Sequence, residues 1–312
     1  MTNVIDVQHL RKRYGDIVAI SDVSFQVSQG EIFGILGPNG AGKTTTVECI
    51  QGLRQPSDGE IRLLGIDAIH ESHRLQRRIG SQLQESALPD RIKVWEVLDL
   101  FASMQPDAAD WRLLMEQWGL AGKATASFAS LSGGQRQRLF VALALINNPE
   151  VVFLDEMTQG LDPSARRVAW DLIRSIRDRG TTVVLVTHYL DEAEHLCDRL
   201  IVVNQGEVVA EGTPQELIAR STRGIRVQFS TDEPDLAWLS DVVHVRGVER
   251  MGSHVDVEGI GPVLALVAAS LVEHGIVPSD LRTVQPSLED VYLDLIAASP
   301  DSEKGNNHGH LL

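Results

Sequence analysis

Residues 32–53, IFGILGPNGAGKTTTVECIQGL, narrow the possible folds more than any other part of the chain. The short apolar run IFGIL reads as a strand buried on both faces, which calls for a parallel sheet covered by helices. TTTVECIQGL reads as a helix. The turn between them matches G-x-x-x-x-G-K-[ST] without a gap, from Gly37 through Gly42, Lys43 and Thr44. Glycines let successive backbone N–H groups turn inward as a concave nest at the positive end of the following helix. That nest suits the β-phosphate of a nucleotide. Lys43 would reach the β- and γ-phosphates, and the Thr44 hydroxyl is suited to ligate Mg²⁺.

The rest of the chain supplies what such a sheet needs. VVFL (151–154), TVVLV (182–186) and LIVV (200–203) are further buried runs, separated by helical patterns. DPSARRVAWDLIRSIRDRG (162–180) has Asp162 as a cap, Pro163 in the first turn and Gly180 at its stop, with Val168, Leu172, Ile173 and Ile176 on one face. Residues 4–30 instead alternate with period 2, clearest in DVSFQV, where Val23, Phe25 and Val27 share a face. That pattern predicts antiparallel strands with one buried side. Residues 86–149 contain no strand-like run and are expected to be wholly helical, an inserted layer. From 222 onward GIRVQFS, VVHVRGV and HVDVEGI read as strands, PVLALVAASLVEHG as a helix, LRTVQ as a strand and LEDVYLDLIAA as a final helix. A small α+β unit is therefore expected over 222–299. The polar end, 300–312, is expected to be disordered, and its His308 and His310 are too few to close a metal site.

Three further stretches carry chemistry. VVFLDE ends a buried strand in Asp155 and Glu156, at the edge where open α/β sheets place their ligand crevice. Alone, two carboxylates there are an ordinary solvated strand end. Beside a phosphate loop, Asp155 is suited to hold Mg²⁺ through its water shell and Glu156 to orient and deprotonate an attacking water. TTVVLVTH (181–188) ends in His188, which either bonds the γ-phosphate and positions the water or is a capping or surface histidine. LSGGQRQRLFVALAL (131–145) is the odd one. Ser132, Gly133 and Gly134 before an apolar-rich helix make an anion-holding start, yet no lysine or magnesium ligand accompanies them.

In their order and over about residues 3–215, these stretches resemble the ATP-binding subunit of an ABC transporter. The resemblance implies a phosphate-loop NTPase (RecA-like) core with an antiparallel β subdomain and an inserted helical subdomain, the cassette covering 3–220. Gly37, Pro38, Asn39, Gly40, Ala41, Gly42, Lys43, Thr44 and Thr45 form its Walker A loop, and VVFLDE its Walker B. Tyr14 stands where the family stacks an aromatic on adenine. Gln84 occupies the Q-loop position, which implies catalytic and magnesium-binding duty and coupling to a membrane partner. Ser132, Gly133, Gly134 and Gln135 lie in the family signature, Asp162 in the D-loop and His188 at the switch position. The family pairs head to tail, each ATP lying between one subunit's Walker A loop and the other's signature. One chain then supplies half of two composite sites, and a homodimer is expected because both halves are present.

Two positions depart from the family pattern. Met157 follows the acidic pair and Leu83 precedes Gln84, where prolines are usual. Neither carries a catalytic group, so altered loop stiffness rather than lost chemistry is expected. PSLEDVYLDL (286–295) resembles the tail of bacterial multidrug-resistance ATPases, which export drugs or lipids through a separate ABC-2 permease; as residues alone it is a helix start capped by Ser287. A formal net charge of −15 argues against indiscriminate nucleic-acid binding. Cys49 and Cys197 read as buried thiols of a reducing compartment. MTNVIDVQHL lacks a signal-peptide pattern, and PVLALVAASLV (262–272) is short of the ~18 residues of a membrane span. The expectation is a peripheral protein at the cytoplasmic face of the membrane, working with an integral-membrane permease. The competing readings are an importer subunit and an ABC ATPase acting on ribosomes or DNA.

Overall fold

The computed structural model describes residues 2–82, 87–220 and 224–297, arranged as two compact units, Met1–Pro214 and Gln215–Leu312. In the first unit a ten-stranded sheet combines two strand arrangements. The parallel part is built from β3 (Ile32–Leu36), β6 (Ile79–Gln82), β7 (Val151–Asp155), β8 (Thr182–Thr187) and β9 (Arg199–Asn204), in the order β9-β3-β8-β7-β6. Every residue of β3, β7 and β8 is buried, as the uninterrupted apolar runs require. The antiparallel part runs β5 (Ile66–Asp67), β4 (Asp58–Leu63), β1 (Asn3–Tyr14), β2 (Ile17–Ser28), and β10 (Glu207–Gly212) joins the two. Val23 and Val27 are fully buried and Phe25 nearly so, which puts the period-2 face on the core.

Helices cover the parallel strands. α1 (Lys43–Ile50) follows the phosphate loop, α5 (Pro163–Asp178) follows β7 and α6 (Leu190–Leu196) follows β8. The expectation of a wholly helical layer over 86–149 needs correction. The described part holds α2 (Val94–Ser103), α3 (Trp111–Gln117) and α4 (Gly133–Ala144), joined by 3₁₀ turns and loops and tied by a bridge between Lys93 and Ser127. β6 was not legible as a strand, and the reason is physical. A side chain at Gly80 would meet the Ala144 carbonyl oxygen at 1.9 Å, so the strand carries a glycine where an apolar residue would have marked it.

The short helix α7 (Pro214–Ala219) precedes the second sheet. That sheet, order β12-β13-β11-β14, is formed by β11 (Ile225–Ser230), β12 (Val245–Met251), β13 (His254–Gly259) and β14 (Arg282–Val284). α8 (Val263–Glu273) buries Val263, Val267 and Leu271 against Val227, Phe229, Val255 and Val257, and α9 (Leu288–Ala297) comes last. β12 begins at Val245 rather than Val242, because Val242 and His244 are spent on a turn closed by Val245 N–H to the Val242 carbonyl. The expected disordered tail, with His308 and His310, lies outside the described residues.

Candidate active site

The phosphate loop leaves the carboxyl end of β3, and α1 starts at Lys43. Gly42 turns through φ +100°, and a Cβ there would meet the Ala19 carbonyl oxygen at 2.5 Å, so this position tolerates only glycine. Lys43 is 6% exposed, and its Nζ donates to the carbonyls of Gly37 (2.9 Å) and Pro38 (3.0 Å). The ammonium therefore folds over the loop it belongs to. Burial lowers its pKa, while Glu156 and Asp155 nearby favour the charged form. Ala41 is buried, its N–H closing the loop onto the Pro38 carbonyl at 3.2 Å.

Thr44 Oγ1 donates to Asp155 Oδ2 at 3.1 Å, joining the loop to the end of β7. Asp155 is 3% exposed, and burial pushes its carboxyl up to about 6, against the opposing hydrogen bond from Thr44. Its Oδ1 is shut from solvent with no hydrogen-bond partner among the described residues. A hydroxyl oxygen beside a buried carboxylate with a spare oxygen is a donor set that fits a hard divalent cation.

Glu156 and His188 complete the cleft. Glu156 stands one residue past β7 with φ +50°, a costly conformation for a residue with a side chain, and its N–H is held by the Val186 carbonyl at 2.9 Å. Its Oε1 lies 3.2 Å from His188 Nδ1. Together with Ala19, Asn39, Gly40, Gly42, Lys43, Thr44, Thr45 and Gln159, both residues line a cleft of about 440 Å³. Gln159 joins the cleft although no spacing in the sequence marks it. Tyr14, at the end of β1, is not among the lining residues; Lys12 Nζ and Arg54 Cζ lie 5.0 and 5.3 Å from its ring centre, and the residue is 39% exposed.

The signature residues are gathered elsewhere. Ser132 caps α4, its Oγ accepting from Gln135 N–H at 3.4 Å while Gln135 Oε1 accepts from Ser132 N–H at 3.0 Å. Gln135 thus serves the cap. Gly133 and Gly134 open the helix, where first-turn N–H groups have no partner within it. With Gly160, Leu161, Asp162 and the fully buried Met157, they line a second pocket of about 360 Å³. Asp162 is committed to capping α5, its Oδ1 accepting from Ser164 N–H (2.9 Å), Ala165 N–H (3.0 Å) and Ser164 Oγ (2.6 Å). Gln84 and Leu83 lie outside the described residues.

A buried sheet edge carrying a glycine nest, a lysine, a hydroxyl–carboxylate pair and a carboxylate–histidine pair defines a phosphate-loop nucleotide hydrolase, and comparison with known proteins gives its family. The family model described as ABC transporter matches residues 20–159. The chain belongs to the ATP-binding subunits of ABC transporters and is an ATPase. It is 38% identical over 301 residues to the daunorubicin resistance ATP-binding protein DrrA3 of Streptomyces coeruleorubidus, covering 93% of this chain and 95% of that protein. It is 43% identical over 302 residues to the Nod factor export ATP-binding protein I of Ralstonia nicotianae, covering 94% of each. Among solved structures, a dimeric ATP-binding cassette in a post-hydrolysis state with ADP and Pi aligns with a TM-score of 0.61 at 28% identity, over 67% of this chain and 98% of that one. The fold is the mixed α/β cassette fold expected from the sequence.

Proposed function

We propose that this chain hydrolyses ATP as one half of a homodimer and drives export through a separate membrane permease. The observation that carries the reading is the separation, within one chain, of the phosphate cleft from the signature pocket. Each half lacks what the other has, and a head-to-tail pair joins them twice. Support for export comes from the two relatives matched over almost their whole length, whose names are those of drug-resistance and export ATP-binding proteins. No helix among the described residues is long and apolar enough to cross a membrane, which fits a peripheral subunit at the cytoplasmic face.

The roles follow from the geometry. When a nucleotide enters, Lys43 exchanges the Gly37 and Pro38 carbonyls for phosphate oxygens, and the loop N–H groups cradle the β-phosphate. Thr44 and Asp155 are the residues that would hold a magnesium ion, which would supply neutralisation of the phosphate charge. Glu156 takes a proton from the attacking water, and His188, 3.2 Å away, orients that carboxylate and faces the γ-phosphate. Ser132 and the N–H groups of Gly133 and Gly134 close the site from the other subunit. Tyr14 supplies a base platform once Lys12 and Arg54 make room.

Affinity purification of the tagged chain from solubilised membranes of its own host tests this reading. A co-purifying integral membrane protein with several apolar spans of ~20 residues is expected. Association with ribosomes or DNA and no membrane partner would overturn the transport role.

A further inference from the structure

His188 has to hold one ring edge toward Glu156 while its ring borders the phosphate cleft, and one contact does not fix a ring. Its Nδ1 lies 3.2 Å from Glu156 Oε1, a single point about which an imidazole can pivot. The residue next in sequence supplies the second constraint. Tyr189 occupies the N-cap position of α6, where Ser, Thr, Asp or Asn would accept a backbone N–H bond and this tyrosine makes no such cap. Its side chain therefore serves something other than the helix.

The Tyr189 ring lies against the His188 ring, with centroids 4.1 Å apart and planes tilted by 37°. Tyr189 is itself held twice. Thr187 Oγ1 accepts from Tyr189 N–H at 3.0 Å, which fixes the backbone. Arg166, in the first turn of α5, fixes the ring: its Cζ stands 4.4 Å from the ring centre, a cation–π contact. Asp191 steadies the guanidinium in turn. Its Oδ2 accepts from Arg166 Nη1 at 3.1 Å, while its Oδ1 accepts from Glu192 N–H at 3.0 Å. Asp191 is 58% exposed, and an ion pair so open to water is too weak to account for the arginine by itself. Arg166 Nε is closed off from solvent and has no hydrogen-bond partner among the described residues. The guanidinium thus forgoes a hydrogen bond in the position that puts it over the ring. Asp191, Arg166, Tyr189, His188 and Glu156 form one unbroken series of contacts from the surface to the cleft.

We propose that Tyr189 and Arg166 are positioning residues for ATP hydrolysis, a stack that holds the His188 ring at the angle from which it meets Glu156. Both act through His188 and touch no reacting atom, so the proposal rests on the role given to that histidine above. Loss of the stack leaves nucleotide binding intact, because Lys43 and the loop N–H groups stand on other segments.

The test compares Tyr189→Ala, Tyr189→Phe and Arg166→Met by kcat for ATP and by equilibrium ATP affinity, and repeats Tyr189→Ala in a His188→Ala background. Tyr189→Ala is expected to lower kcat ~10-fold or more with ATP affinity within about twofold, since an ångström of misplacement costs at least that much. Tyr189→Phe keeps the ring and should retain most of the rate. Arg166→Met keeps an unbranched chain without the charge and should lose kcat in the same direction as Tyr189→Ala. Once His188 is gone, Tyr189→Ala should cost nothing further. A folded Tyr189→Ala with wild-type kcat, a loss in Tyr189→Phe as large as in Tyr189→Ala, or a loss that adds in full to that of His188→Ala overturns the proposal. Where Tyr189→Ala does not fold, wild-type kcat in Arg166→Met overturns it. His188→Ala alone separates the two levels: wild-type hydrolysis in that variant removes the role of the histidine, whatever its neighbours do.

Discussion

Glu156→Gln is expected to bind ATP and to hydrolyse it at least ~100-fold more slowly than the parent chain, the loss that removal of a positioned general base produces. Glutamine keeps the shape of the side chain and its contact with His188 at the end of β8, but it cannot accept the proton of the attacking water. The surrounding geometry argues for a role in the reaction rather than in stability. Glu156 sits with φ +50° and only 8% exposed, a backbone and a burial that a merely structural glutamate would not need. Since the bound nucleotide would not be consumed, the variant is also expected to accumulate as a closed pair. Phosphate release and nucleotide retention, followed in the same sample, check both halves. Hydrolysis at the parent rate would remove Glu156 from the chemistry.

Lys43→Ala acts one step earlier. In the structure the ammonium bonds two carbonyls of its own loop, at 2.9 and 3.0 Å, and it holds the loop's only positive side chain at the floor of the cleft. Alanine removes the charge-assisted bonds to the phosphates and leaves the Gly37 and Pro38 carbonyls without their donor. At about 1.5–3 kcal/mol for each hydrogen bond to a charged group, losing two weakens ATP binding by ~100-fold or more. Titration calorimetry or a fluorescent nucleotide reads this directly. An affinity within about twofold of the parent would contradict the phosphate-binding role, and normal folding of the variant can be checked by its circular dichroism.

How much of this was visible in the letters depends on how strongly each feature constrains its neighbours. The phosphate loop, the strands β3, β7, β8 and β9 and the capped helix α5 were legible because burial on both faces, glycine geometry and capping each leave a distinctive residue pattern. The edge strand β6 was hidden by Gly80, which the close carbonyl of Ala144 imposes. The breaks between α2, α3 and α4 were hidden because 3₁₀ turns have no periodicity long enough to read. At the site, the pairing of Thr44 with Asp155 and of Glu156 with His188 joins residues far apart in sequence, so the motifs named the partners but not the contacts. The commitment of Gln135 to the cap of α4 likewise appears only in three dimensions, whereas the cap of α5 by Asp162 was already legible in the sequence.

The central claim is that the two loops act on one nucleotide only by way of a second copy of the chain. Asn39 and Gly133 are both exposed, the first in the phosphate loop and the second at the start of α4, with open space around the position where a Cβ would stand on Gly133. The native cysteines, Cys49 and Cys197, are buried and leave the surface free for engineered thiols. The decisive measurement is oxidative cross-linking of Asn39→Cys/Gly133→Cys in the Glu156→Gln background, run on non-reducing gels with and without ATP and Mg²⁺. Pairing predicts a disulfide-linked species of twice the chain mass that forms with nucleotide and not without it. A chain that binds ATP yet stays monomeric on the gel, or closes the disulfide within itself, would contradict the account.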